Sequence, residues 1–251
     1  MYIDVHCHVD MIDRPVGEII RDAKKKGVGV IVTNGVNPKS NRDILRIADE
    51  FKEVKASFGM YPIDALSLSD DEIDEEIKFV KANKDKIIAI GEIGLDLKEE
   101  SFLENFERQK KIFSKFVKLG VLLNKPVIVH SRKAELETIE LLEKLNAKKV
   151  VMHCFSGSMK LVERIFKNGW LISIPTCVNY AEHFQKVVEI TPIKNLLCET
   201  DSPYLHPKKE FPNSPENVVF SYKKIAEIKG VKLREVEEVV EGNFGRVFGS
   251  E

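Results

Sequence analysis

The chain has 251 residues, and its 39 Lys and Arg side chains are offset by 40 Asp and Glu side chains, giving a formal net charge of −1. Hydrophobic residues make up 43% and charged residues 31%, a composition that excludes wholesale disorder. No apolar run approaches the roughly 18 residues of a membrane span, which predicts no membrane association. A near-neutral charge gives no compositional sign of nucleic-acid binding. The length fits one large domain or two small ones, and we expect a single domain over residues 1–251.

The four cysteines are spread along the chain without a CxxC pair, at Cys7, Cys154, Cys177 and Cys198. The N-terminus leads directly into charged and strand-like sequence, with no signal-peptide pattern. These features predict buried free thiols and a cytoplasmic protein.

Short runs rich in Val and Ile alternate along the chain with longer stretches of helical periodicity, which is the pattern of βα units. The predicted strands are residues 2–5, 28–33, 54–59, 87–90, 127–129, 150–152, 171–174 and 196–198. The predicted helices are residues 16–26, 43–51, 70–83, 101–123, 134–145, 159–168, 181–190, 215–229 and 233–248. Eight such units predict a (β/α)8 TIM barrel, with an open, doubly wound sheet as the alternative. The proline-rich stretch 203–215 is predicted to form an ordered irregular loop.

Side chains that can bind metal ions lie at the ends of five of the predicted strands. In chain order they are His6, His8, Glu92, His130, His153 and Asp201. The carboxyl ends of barrel strands form one rim, where the active site is expected, so we expect these side chains to converge. His6 and His8 are two residues apart on an extended strand and therefore project to the same face.

These residue types predict a site for two divalent metal ions. Imidazole and carboxylate groups bind Zn, Mn or similar ions, and six groups exceed the three protein ligands that one catalytic Zn needs. Glu92, with two carboxylate oxygens, is the candidate bridge between the ions. Asp201 is predicted to bind one ion through one oxygen and to orient or deprotonate an attacking water through the other. The ions could be Zn, Mn, Mg or similar, and such pairs support phosphodiester displacement.

Two further residues are candidates for roles around the metal ions. Arg132 follows His130 by two positions and is predicted to contact a substrate phosphate, with a surface ion pair as the alternative. Glu199 precedes Asp201 by two and is predicted to orient a metal ligand or water, with a buried structural role as the alternative. For Asp96 the sequence predicts only a role in stabilising the loop after the fourth strand.

Five segments, in this order, resemble the motifs of the TatD family of metal-dependent deoxyribonucleases. They are DVHCHVD at 4–10, GEIGLD at 91–96, PVIVHSR at 126–132, HCFSG at 153–157 and ETDSPYL at 199–205. The resemblance covers essentially the whole chain. It implies a TIM barrel of the amidohydrolase-like superfamily, divalent metals, and 3′ to 5′ exonuclease or general DNase activity.

The resemblance also implies how the ligands are shared. One ion would be bound by His6, His8, Glu92 and Asp201, and the other by Glu92, His130 and His153.

Two segments depart from the family pattern. The family's GxHPH after strand three reads Gly-Met-Tyr-Pro-Ile at 59–63, and its Arg-Gly-x-x-Asn segment reads Lys-Lys-Glu-Phe-Pro-Asn at 208–213. The substrate contacts are therefore expected to differ from those of the family.

The combined pattern favours a cytoplasmic, TatD-like DNase that uses a metal-activated water. Without a basic groove, we expect a nucleic-acid substrate in the form of single strands or exposed 3′ ends, and no obligate protein partner. One alternative is a binuclear amidohydrolase or lactonase acting on a small-molecule C–N or C–O bond, although many such barrels use a carboxylated lysine where this chain has Glu92. The second alternative is a non-catalytic, metal-loaded nucleic-acid-binding protein, which the open ligand set disfavours.

Overall fold

The computed structural model describes residues 1–98 and 100–249, with residues 100–102 described by their backbone alone. The strands are β1 (Tyr2–Cys7), β2 (Val28–Asn34), β3 (Val54–Met60), β4 (Ile87–Asp96), β5 (Val127–Arg132), β6 (Val150–His153), β7 (Leu171–Pro175) and β8 (Leu196–Glu199). The helices are α1 (Val16–Lys25), α2 (Pro38–Glu50), α3 (Asp70–Ala82), α4 (Phe106–Leu122), α5 (Glu135–Lys144), α6 (Met159–Lys167), α7 (Glu182–Ile190), α8 (Val219–Lys229) and α9 (Leu233–Phe248).

The eight strands form a barrel. They lie in one sheet in the order β1 to β8, and each pair of neighbours is parallel. The segment after β8 returns to β1, where the Asp201 amide donates to the His6 carbonyl at 2.9 Å and the His8 amide donates to the Ser202 carbonyl at 2.7 Å. The last strand therefore lies beside the first, which confirms the predicted TIM barrel and excludes the open sheet.

The helix starts show how local sequence sets the boundaries. Helix α2 begins at Pro38, five positions before the predicted start, because Asn37 caps it by accepting from the Ser40 amide and Pro38 suits the first helical position. Helix α3 begins as predicted, after a capping box between Ser69 and Glu72. Helices α4 and α8 begin later than predicted, because 3-10 turns over Glu100–Asn105 and Pro215–Val218 precede them.

Strand β4 is longer than predicted and contains Glu92 instead of ending before it. It continues to Asp96, whose neighbour across the sheet is Arg132 on β5. Gly94 allows this extension, since a Cβ there would lie 1.9 Å from the His130 carbonyl oxygen. Glu92 and Asp96 consequently share one face of the strand.

The core consists of strands buried along nearly their whole length and the apolar helix faces around them. Strands β6, β7 and β8 are buried at every position. Among the largest fully buried side chains are Phe58, Phe113, Phe116, Phe155 and Tyr222. No helix in the described ranges is long and apolar enough to cross a bilayer.

Candidate metal centre

A cavity of about 480 Å³ opens at the carboxyl ends of the strands. Five of the six predicted metal ligands line it, namely His8, Glu92, His130, His153 and Asp201. His6 is fully buried beside them. The structure thus brings all six groups to one end of the barrel, although they are widely separated in sequence.

Glu92 lies between two pairs of histidines and presents a different oxygen to each. Its Oε2 lies 3.4 Å from Nε2 of both His6 and His8. Its Oε1 lies 3.0 Å from His130 Nδ1 and 3.7 Å from His153 Nε2. This is the arrangement expected of a carboxylate that can bridge two cations.

Asp201 faces the first histidine pair from the other side. Its Oδ1 lies 3.5 Å from His6 Nε2 and 3.7 Å from His8 Nε2. The residue has a φ of 55°, in the left-handed region that aspartate tolerates better than most side chains. Its amide is bonded to the carbonyl of His6, so the backbone after β8 is fixed against β1.

Three of the four imidazoles are oriented by a hydrogen bond at the nitrogen that faces away from the centre. His153 Nδ1 lies 3.1 and 3.2 Å from the two Glu199 carboxylate oxygens. His130 Nε2 lies 2.9 Å from Asp96 Oδ2, and His8 Nδ1 lies 2.8 Å from the Asn34 carbonyl. Such partners fix the ring and leave the opposite nitrogen free to bind a metal ion.

The structure reveals two residues whose place in the site the sequence analysis missed. Asp96 does fix the following loop, by accepting from the Lys98 amide at 2.7 Å, but it also holds His130. Tyr61, which stands where the family has histidine, donates its hydroxyl to the same Asp96 oxygen at 2.8 Å. The even, four-residue spacing of Glu92 and Asp96 could have indicated a shared face, had β4 been predicted at its full length.

Burial and close charges set the protonation of these groups in the metal-free protein. Burial raises the pKa of Asp201 to about 6, although the nearby histidines His153 and His8 act to lower it. Burial lowers the pKa of His6 well below its usual value, which keeps this imidazole neutral. Burial alone would also lower the pKa of His8, but Glu92 and Asp201 raise it to about 9.

Glu92 and His153 show the same balance of opposing effects. Burial disfavours the Glu92 carboxylate, yet the surrounding histidines hold its pKa well below the usual range. For His153, burial is outweighed by Glu199 and the other carboxylates, and the pKa is raised to about 10. The site therefore keeps its central carboxylate ionised by surrounding it with imidazoles.

Arg132 lines the cavity with an exposed side chain. Among the side chains that the structure describes, those of residues 1–98 and 103–249, none forms an ion pair with it. The other two histidines are outside the cluster: His183 Nε2 lies 3.3 Å from the Phe155 carbonyl, and His206 Nδ1 accepts from the Lys208 amide at 3.1 Å.

The donor set fits divalent cations. Three overlapping groups have ligand atoms within 4.8 Å of one another: His6, His153 and Asp201; His6, His8 and Glu92; and Glu92, His130 and His153. Imidazole nitrogens combined with carboxylate oxygens are ligands of Zn, Mn and related ions. The buried position of the neutral His6 ring, whose Nε2 faces both Glu92 and Asp201, is also what a metal ligand requires.

A parallel barrel with imidazole and carboxylate groups converging at its carboxyl-terminal rim defines the protein as a metal-dependent hydrolase of the TIM-barrel class. The chain belongs to the family described as TatD related DNase, which it matches over residues 3–249.

Individual relatives agree with this placement. The chain is 36% identical over 250 residues to a metal-dependent hydrolase of Methanocaldococcus jannaschii, covering 98% of this chain and 96% of the relative. It is 31% identical over 257 residues to the human deoxyribonuclease TATDN3, and the match covers 98% of this chain and 94% of the relative. The crystal structure of a TatD homologue from Escherichia coli K12 superposes with a TM-score of 0.92 at 27% identity, covering 100% of this chain and 98% of that one.

Proposed function

We propose that this chain hydrolyses phosphodiester bonds in DNA, using two divalent ions that share Glu92. The observation that carries the proposal is the division of the Glu92 carboxylate, with Oε2 facing His6 and His8 and Oε1 facing His130 and His153. Pairs of ions bridged in this way suit displacement at phosphorus, where both the attacking and the leaving oxygen carry charge. The names of the family and of the human relative support DNA as the substrate.

In this proposal the ligands are His6, His8, Glu92 and Asp201 for one ion, and Glu92, His130 and His153 for the other. Bound divalent ions would polarise the phosphoryl group and lower the pKa of a water molecule. Asp201 lines the cavity with a side chain 15% exposed, so one of its oxygens can accept the proton of an attacking water. Arg132 can donate two hydrogen bonds to the phosphate from the cavity wall.

Glu199 and Asp96 act behind the ligands in this scheme. Their carboxylates hold His153 and His130, so that the facing nitrogens point to Glu92. Without these bonds both rings could turn, and metal affinity would fall about 10- to 100-fold.

We infer further that the substrate is a single strand or an exposed 3′ end, cut in the 3′ to 5′ direction. A cavity of about 480 Å³ is the size of a small-molecule pocket and admits one nucleotide unit more readily than a duplex. The net charge of −1 gives little general attraction for a long polyanion. The four cysteines are all free, which supports a cytoplasmic protein.

The test is cleavage of single-stranded oligodeoxynucleotides labelled at the 5′ end, with the 3′ end either free or blocked. The protein is stripped of metal and then supplied with Mg²⁺, Mn²⁺ or Zn²⁺. We expect a ladder that shortens from the free 3′ end, only when metal is present, and little product from the blocked strand. Equal cleavage of both strands would reject the exonuclease direction while leaving phosphodiester hydrolysis in place.

Two results would favour the other candidate functions. Hydrolysis of cyclic amides or lactones, with oligonucleotides untouched, would identify an amidohydrolase or lactonase. Retention of DNA by the metal-loaded protein without any cleavage would identify a non-catalytic binding protein.

A further inference from the structure

The exposed aromatic side chains are concentrated around the mouth of the cavity. Among the described side chains, the exposed aromatic residues are Tyr180 at 40%, Tyr204 at 51% and Phe211 at 73%. Tyr180 follows β7, and the other two lie in the loop after β8. All three therefore lie at the carboxyl-terminal rim, where the substrate enters.

Tyr204 and Phe211 are adjacent but do not cover each other. Their ring centroids are 6.4 Å apart and the ring planes are tilted by 42°. Tyr204 also lines the cavity that contains Glu92. The pair thus extends outward from the metal centre and leaves aromatic faces open to a ligand.

The loop that carries these two rings is held by hydrogen bonds. The Tyr204 amide donates to the Asp201 carbonyl and the Asn213 amide donates to the Pro203 carbonyl, each at 2.8 Å. The Asn213 side chain donates to the Thr200 carbonyl at 2.9 Å, which ties the loop to the end of β8. A surface fixed in advance loses little entropy when a ligand binds.

The charges around the rings are complementary to a polyanion. Lys208 and Lys209 belong to the same loop and are exposed, and neither forms an ion pair in the described part of the chain. Lys209 Nζ lies 4.7 Å from the centroid of the Tyr180 ring, so the third exposed aromatic residue is in contact with this lysine. Glu210, beside these lysines in the loop, lies 3.7 Å from His206.

We propose that Tyr204 and Phe211 are a stacking surface for the unpaired bases of single-stranded DNA, with Lys209 contacting its backbone. Stacking on aromatic rings beside basic groups is the usual means of binding single strands without reading their sequence, since every base has a π face. The inference rests on the proposed nuclease function and adds a reason for strand selection. Bases within a duplex are already stacked and paired, so their faces are not available to this surface.

The test measures binding of a fluorescein-labelled oligodeoxythymidine by fluorescence anisotropy, using metal-loaded protein and phosphorothioate linkages that resist cleavage. Phe211→Ala is expected to weaken binding about tenfold. Binding of a matched strand with abasic nucleotides is expected to differ less than twofold between the variant and the parent protein. Because Phe211 is largely exposed, the substitution should leave the thermal unfolding midpoint unchanged.

Matched variants separate stacking from other causes. Phe211→Tyr keeps a ring and should bind like the parent, whereas Phe211→Leu keeps apolar area without a ring and should resemble Phe211→Ala. Leu122→Ala removes an apolar side chain that is 68% exposed at the end of α4, far in the chain from the rim loops, and should have no effect. Lys209→Gln should reduce the slope of log Kd against log salt concentration by about 0.7.

Several outcomes would overturn the inference. They are unchanged binding by Phe211→Ala, full binding by Phe211→Leu, an equal loss with the abasic strand, and duplex binding as strong and as dependent on Phe211 as single-strand binding. Sedimentation showing a dimer that Phe211→Ala dissociates would assign the surface to a second copy of the chain. Cleavage by the parent protein is a separate measurement, so absence of hydrolysis would count against the proposed function and not against stacking.

Discussion

At the scale of single residues, Glu92 has contacts that no other residue of the site shares. It is nearly fully buried, and it faces one imidazole pair with each carboxylate oxygen. A glutamine in its place would turn its amide nitrogen toward one of the two histidine pairs, and that nitrogen cannot bind a cation. Its carboxylate is therefore the feature on which the two-ion proposal depends.

We expect Glu92→Gln to reduce phosphodiester turnover by several orders of magnitude, and Asp201→Asn to do the same through loss of a ligand and a proton acceptor. Steady-state kinetics with saturating metal measures the effect. Glu76→Gln is the matched control, because Glu76 is also buried but is bonded to Asn41 and Arg42, outside the cavity. Full activity of either site variant would reject the two-ion assignment.

The thiols provide a test of burial at the residue scale. Burial raises the pKa of Cys177 to about 12 and the pKa of Cys7, Cys154 and Cys198 well above the usual thiol value. A higher pKa lowers the thiolate fraction at a given pH, and the thiolate is the reactive form.

At pH 8 we therefore expect native protein to react with iodoacetamide far more slowly than free glutathione, and unfolded protein to be labelled at four sites. Intact mass spectrometry counts the labels. Cys154 is partly buried and the other three are buried, so rapid labelling of Cys7, Cys177 or Cys198 in the native protein would contradict the structure.

The convergence of the six candidate ligands was predictable because each one lies at or shortly after a Val- or Ile-rich strand segment, and barrel topology gathers the carboxyl halves of the strands at one rim. The roles of Asp96 and Tyr61 were not predictable. Their contacts depend on how far β4 extends and on the direction of a tyrosine ring packed against His130. Both are decided by packing between strands, which hydrophobic periodicity does not encode.

At the scale of secondary-structure elements, β4 determines the geometry of the site. It runs from Ile87 to Asp96 and carries Glu92 and Asp96 on one face. Val- and Ile-rich sequence predicted a strand over residues 87–90, whereas the glycine-containing second half was not predicted as strand. Gly94 on β4 and Gly59 on the neighbouring β3 permit close contacts between strands. A Cβ at either position would lie within 2.3 Å of backbone atoms of the adjacent strand.

We expect Gly94→Ala to destabilise the protein by several kcal/mol or to prevent folding, because the added methyl group meets the backbone of His130. Gly242→Ala is the matched control: its Cβ would meet nothing within 4 Å, and it lies inside α9, where alanine is favoured by up to about 1 kcal/mol. Urea unfolding measures both changes. A Gly94→Ala protein as stable as the parent would contradict the close contact between β4 and β5.

At the scale of the whole molecule, the net charge of −1 does not describe the charge that the proposed two-ion site would have. Two divalent ions would add about +4 beside the carboxylates of Glu92 and Asp201, which makes the rim attractive to phosphate. Composition could not reveal this, because bound ions are not part of the sequence. It could equally not show that the exposed aromatic residues meet at the same rim.

Removal of metal is expected to lower stability without abolishing the fold, because the apolar core does not depend on the ions. At a metal concentration about 1,000 times Kd, binding stabilises the folded state by about 4 kcal/mol, which corresponds to about 8–16 °C in unfolding midpoint for a chain of this size. Thermal unfolding with EDTA or with Mn²⁺ measures the difference. An identical midpoint in both would contradict metal binding by the folded protein.

The central claim is that one carboxylate, Glu92, is shared by two metal ions. The most direct measurement is an anomalous difference map from crystals of the protein equilibrated with Mn²⁺. We expect two peaks about 3.5–4 Å apart, one beside each oxygen of Glu92. A single peak, or ions that do not contact Glu92, would contradict the claim.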